Sequence, residues 1–182
     1  MKIGIDISQL AYEKTGVANL LENLILNLLE VDKENEYVLF FTSLRKEFPI
    51  SKFQISNKFQ IQNAKVKIKS FGIPLSILEV LWNKLHILPI EWLIGDVDVF
   101  ITSDWTEPPT IKARKATILY DLIVYKYPSE TDRKIVDVQK RKLEWVKKES
   151  ELVFCISEAT KKDAKKILNI ESKRLKVIYP GI

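Results

Sequence analysis

Cysteine and histidine are nearly missing from this sequence: Cys155 and His86 are the only ones among 182 residues. A CxxC or multi-histidine metal site is therefore excluded, and no second thiol is there for a disulfide. A chain of this length buries enough core to fold without such staples, and a lone thiol fits a reducing compartment. Neither a GxGxxG fingerprint nor a GxxxxGK[ST] loop occurs, which disfavours a dinucleotide-binding fold and a P-loop enzyme. A long apolar run is missing as well. The richest stretch, Ile73 to Ile94, is interrupted by Pro74, Glu79, Lys84, Pro89 and Glu91, too often for a transmembrane helix. At the N-terminus Asp6 breaks the apolar run of Lys2 to Ile7, so the segment reads as a strand and not as a signal peptide.

What is present fits a soluble globular domain, with 46% hydrophobic and 29% charged residues. The formal net charge of +5 favours anionic partners in general, without choosing among phosphates, nucleotides, acidic lipid and nucleic acid. Lys2–Ser8 has the pattern of a buried strand. Thr15 then caps a helix whose Val17, Leu20, Leu21, Leu24, Ile25 and Leu28 fall at helical spacing. Tyr37–Thr42 is apolar throughout, as a parallel strand covered on both faces is. Lys65–Phe71 alternates apolar residues with lysines, the pattern of a strand with one wet face. Further strands are expected at 97–102, 116–121, 152–157 and 175–179, with helices at 75–88, 132–149 and 158–168. The segment 44–64 carries a copied tetrapeptide, Lys52–Ile55 and Lys58–Ile61, and reads as a surface excursion or hairpin. The β–α alternation predicts a doubly wound, mostly parallel Rossmann-like α/β sheet of about six or seven strands with helices on both faces. Trp82, Trp92 and Trp145 fall on apolar faces as packing residues, and Cys155 is an inert core residue.

In such a sheet ligands bind at the carboxyl ends of the strands, which singles out three loops. The first runs from Gln9 to Gly16 and feeds a helix N-terminus, where free N–H groups suit phosphate. There Gly16 either admits a ligand close to the backbone or merely permits a tight turn. The second is Leu119–Leu122, where Asp121 either orients a hydroxyl and serves acid/base work or caps a turn. The third is Thr102–Pro109, where Ser103, Asp104 and Trp105 suit sugar recognition, while Pro108 and Pro109 stiffen the loop and Trp105 covers the core. The basic residues of the last two helices, Lys140, Arg141 and Lys142 among them, read as solvated helix faces. An anionic membrane surface is the next reading. Nucleic acid is disfavoured, because neither interleaved aromatics nor a recognisable module accompanies the charge.

Five segments in order resemble the N-terminal domain of family 4 retaining glycosyltransferases of the GT-B fold. Lys2–Asp6 is similar to the opening "IGIDAR" strand, and Thr15-Gly16-Val17 to the "TGIGRY" loop. Tyr120–Ile123, with Pro128 after it, resembles "HDLIP…FP". Cys155–Asp163 resembles "VSEATKKD", and Val177–Ile182 the "VIYPGID" link to a second domain. The sequence departs from these patterns at Ser8, Ala18 and Asn19, and at Tyr120, which stands where the family has histidine.

The resemblance implies residues 1–178 as an acceptor-side domain, 179–182 as the start of a hinge, and a separate C-terminal donor domain. It implies transfer of a hexosyl unit from a nucleotide sugar to a sugar or lipid-linked acceptor, without metal or cofactor. The expected place of work is the cytoplasm, at or near the inner membrane face. Gly16 and Val17 would meet the donor diphosphate, Tyr120 and Asp121 would be catalytic, and Ser103, Asp104 and Trp105 would bind the acceptor. A Rossmann-like interaction or regulatory subunit without catalysis is the alternative.

Overall fold

The computed structural model describes residues 1–12, 14–47 and 65–180. Seven strands form one sheet in the order β3-β2-β1-β4-β5-β6-β7. They are β1 (Lys2–Asp6), β2 (Glu36–Thr42), β3 (Val66–Phe71), β4 (Val99–Thr102), β5 (Arg114–Leu119), β6 (Ser150–Cys155) and β7 (Leu175–Val177). Every pairing is parallel, so the sheet is an α/β, Rossmann-like one. The inner strand β2, next to the β3 edge, is buried from Tyr37 to Thr42, as its unbroken apolar run requires. The edge strand β3 exposes Lys67 and Lys69. Charged side chains on an outer strand discourage edge-to-edge pairing. In β1, a Cβ on Gly4 would come within 2.7 Å of the ring of Phe100, its register partner on β4, so glycine leaves room for that ring to lie over β1 on the sheet face.

Strand alternation divides the core. On one side Ile5, Ile7, Leu39, Phe41 and Ile118 pack against α1 (Gly16–Val31) through Leu21 and Ile25. On the other, Leu119, Val153 and Cys155 pack against α5 (Arg133–Glu149) and α6 (Glu158–Ile167). Short helical turns α2 (Leu75–Leu78), α3 (Glu91–Ile94) and α4 (Ile123–Lys126) also lie among the described residues. The three long helices have side-chain N-caps: Thr15 accepts from Ala18 N at 3.1 Å, Asp132 from Lys134 N at 2.8 Å, and Ser157 from Thr160 N at 3.0 Å. A cap of this kind is worth roughly 1 kcal/mol. Among the described residues no helix is long and apolar enough to cross a membrane. The excursion expected at 44–64 lies mostly outside the described residues.

Three expectations are corrected. The helix expected over 75–88 is α-helical only to Leu78 and continues as a π-helix over Glu79–Lys84. Each π turn holds an extra residue, which carries Leu85 off the buried stripe to 58% exposure while Trp82 stays fully buried. His86 then adopts a positive φ of 53° and stacks on Trp145 with ring centroids 3.5 Å apart. Trp92 is 69% exposed, because it lies on the outer side of the single turn α3. Lys142 does not belong to a solvated face: it is 2% exposed.

Candidate functional site

Strand order reverses between β1 and β4. The chain leaves β1 towards one edge of the sheet and β4 towards the other, which opens a crevice at their carboxyl ends. A pocket of about 180 Å³ lies there, walled by Val17 at the start of α1, Asp104 and Trp105 after β4, Tyr120 and Asp121 after β5, and Gln139 and Lys142 of α5. Residues more than a hundred positions apart are thus brought to one wall by parallel strands that all end on the same side.

Gly16 is the first residue of α1, and a Cβ built on it meets nothing within 4 Å. The left-handed residue of the preceding turn is Lys14, with φ 66°. The turn therefore does not need glycine at 16, and the space beside its Cα is open. Thr15 takes Ala18 N through its hydroxyl and Asn19 N through its carbonyl. Among the described residues nothing accepts from the Gly16 or Val17 amide, in line with the donors that a helix start leaves without intrahelical partners.

Asp121 is exposed, and its Oδ1 accepts from Ile123 N at 2.9 Å; the turn-capping geometry is thus realised at the pocket rim, with the second oxygen available. Tyr120 is 8% exposed and its hydroxyl lies 3.1 Å from Ser103 Oγ. Burial pushes the phenol above its ordinary range. Ser103 is itself buried and stands behind the wall, supporting Tyr120. Asp104 is held by Gln139, whose Nε2 donates to its carbonyl at 3.0 Å and to Oδ1 at 3.3 Å. Burial raises its carboxyl above the usual range, the Lys142 charge opposes that, and Asp121 adds to it.

Sequence reasoning missed the polar group beneath this wall. Lys142 Nζ donates to Ser103 O and to Thr117 Oγ1, the latter at 3.3 Å. Burial lowers its pKa, and the charges of Glu107, Asp104 and Asp6 oppose the shift. Asp6, at the end of β1, accepts from Ser8 N at 2.9 Å, and burial raises its carboxyl. Thr102 Oγ1 donates to Glu107 Oε2 at 2.6 Å and lies 2.7 Å from Thr117 Oγ1. Lys115 joins Glu107 at 3.1 Å to Glu149 at 2.7 Å. The signal for Lys142 was in the helical period: Val146 lies four residues on and Leu143 beside it, so a lysine occupies the apolar stripe of α5.

A larger cleft of about 870 Å³ adjoins the pocket, reaching over the carboxyl ends of β2 and β3 to the first turns of α5; Trp105 and Ile135 line both. Among the described residues no group of three or more His, Cys, Asp or Glu is placed to hold a metal ion. Set against known protein families and curated proteins, the sequence matches no family model and no curated protein.

Proposed function

We propose that this chain is the acceptor-side domain of a retaining hexosyltransferase of the GT-B type, working with a donor-binding domain. The observation that carries the proposal is the convergence of Val17, Asp104, Trp105, Tyr120 and Asp121 on one pocket at the strand-order reversal. In this reading the free amides of Gly16 and Val17 meet the charge that develops on the departing diphosphate, since preorganised donors at a helix start stabilise an anion. The free oxygen of Asp121 and the carboxyl of Asp104 orient hydroxyls of the reacting sugars. Tyr120, fixed by Ser103, shapes the pocket floor where the family has histidine. Lys142 holds Asp104 and the 103–107 loop in place from below. Half a cleft positions only one reactant, so the chain alone is expected to bind donor weakly and to transfer nothing.

Amide NMR with a panel of nucleotide sugars tests this. Weak binding that shifts the Gly16 and Val17 amides first, strengthened by fusion to a family 4 donor domain, is the expected result. Absence of any shift at those amides in both forms refutes it. If the fusion binds donor without turnover, Tyr120→His is expected to yield transfer. A non-catalytic interaction domain is favoured by one observation: both residues at the expected catalytic position are already engaged, Asp121 with Ile123 N and Tyr120 with Ser103. Donor binding without turnover in the Tyr120→His fusion supports that second reading.

A further inference from the structure

The 870 Å³ cleft beside the pocket has a chemistry of its own. Its charged lining comprises five cations and three carboxylates. Arg141 and Lys84 are engaged with Glu79, at 2.6 and 4.0 Å, Asp132 caps α5 through Lys134 N, and the third carboxylate, Asp137, is exposed with no cation within 4.0 Å among the described residues. Arg45, Lys46 and Lys134 remain without a carboxylate within 4.0 Å among the described residues, and all three are exposed. The opposite character comes from Leu75, Ile135 and the rings of Tyr12 and Trp105, with Tyr12 half exposed. A cleft with free cations and an apolar, aromatic wall matches a ligand with an anionic group at one place and an apolar or sugar body at another. Because Trp105 and Ile135 also line the small pocket, a body lying along the cleft ends at Asp104 and Tyr120.

We infer that this cleft binds an anionic acceptor, a phosphate ester carrying an apolar or glycosyl body, whose phosphate meets Arg45, Lys46 and Lys134 and whose far end enters the Asp104–Tyr120 pocket. The inference rests on the glycosyltransferase reading for the word acceptor, and on the cleft alone for the ligand class. Neutral acceptors leave three cations unanswered, and inorganic phosphate leaves the apolar wall unused.

The test uses the full chain and three probes: hexyl phosphate, hexyl glucoside and inorganic phosphate, followed by amide and indole NMR and calorimetry. Hexyl phosphate is expected to bind at least tenfold tighter than either comparator and to shift the Trp105 indole N–H. The double reversal Arg45→Glu with Lys134→Glu weakens it about tenfold, since each exposed charge pair contributes up to about 1 kcal/mol. Lys165→Glu, on the distant α6, controls for net charge, and thermal melts confirm folding of each variant. Anionic-phospholipid vesicles distinguish the source of the phosphate. Vesicle binding lost in the double reversal assigns a membrane lipid, and hexyl phosphate binding without vesicle binding assigns a soluble ester. Equal affinity for hexyl phosphate and either comparator overturns the inference, as does full affinity in the double reversal. Loss of the Trp105 shift with intact Gly16 and Val17 responses to nucleotide sugars overturns the cleft assignment alone. The reverse pattern leaves the cleft standing and overturns the transferase reading.

Discussion

Replacing Lys142 by Met removes a buried cation while keeping nearly the same volume, and it isolates what the polar group beneath the pocket contributes. Two acidic groups, Asp6 and Asp104, lose the charge that opposes their burial, and Glu107 loses one nearby cation while keeping Lys115 at 3.1 Å. Ser103 O loses its donor, while Thr117 keeps Thr102 as a partner. Removing one member of a buried ionic group costs roughly 3–5 kcal/mol, and the retained Thr117–Thr102 contact argues for about 3 kcal/mol. For a chain of this size that is a fall in Tm of about 6–12 °C. In urea it is a midpoint shift of about 1.5 M at a slope of about 2 kcal/mol per M. The pH dependence has a definite sign. The carboxyls of Asp6 and Asp104 are raised in the folded protein, so their ionisation weakens the fold as pH rises through the unfolded value towards the folded one. Without Lys142 they rise further, and more of that cost is felt near neutrality. The gap between native protein and variant therefore widens from mildly acidic pH to pH 7, and narrows again as the acids take up protons. Urea melts across that range measure it. A gap below about 1 kcal/mol at neutrality, or one that does not change with pH, refutes the ionic role assigned to Lys142.

Gly16→Ala is expected to leave stability unchanged or raise it by up to about 1 kcal/mol, because the site is open and helical, while weakening nucleotide-sugar binding by the fused two-domain form at least tenfold. A stable variant with intact donor affinity shows that nothing approaches Gly16. Cys155 is fully buried and burial pushes its thiol up to about 11. Its reaction with a thiol-specific dye at pH 8 is therefore expected to be slow in the native protein and fast in denaturant, because the thiolate is the nucleophile. Rapid native labelling contradicts its packing against α6.

Local pattern carried much of the fold. The apolar run of 37–42, the lysine alternation of 65–71 and the cap Thr15 are properties of neighbouring residues, and each appears in the structure as an element of the expected type. The rule that ligands sit at strand carboxyl ends singled out Gly16, Asp104 and Asp121, of which Asp104 and Asp121 line one pocket with Val17 while Gly16 is not among its lining residues. It did not distinguish wall from support: Ser103 lies behind the pocket, and Asp121 spends one oxygen on Ile123 N. The period of 75–88 misled, because a π turn and an α turn begin with the same residues and differ only in which carbonyl each amide reaches.

The sequence alone determined that strands and helices alternate, that 37–42 is a strand covered on both faces and 65–71 one with a wet face, and that a disulfide within the chain and a cysteine–histidine metal cluster are excluded. These follow from side-chain type and spacing along a few residues of chain. Only the tertiary structure decided that β4 crosses back to pair with β1, and with it the place of the strand-order reversal and the meeting of Val17 with Tyr120. It alone turned Lys142 inward among three carboxylates, left Trp92 in solvent, and brought Leu75 and Trp105 into one cleft with Arg45 and Lys134. The physical reason is that pairing and burial are settled by what lies across the sheet, and residues a hundred positions away in the chain supply those neighbours.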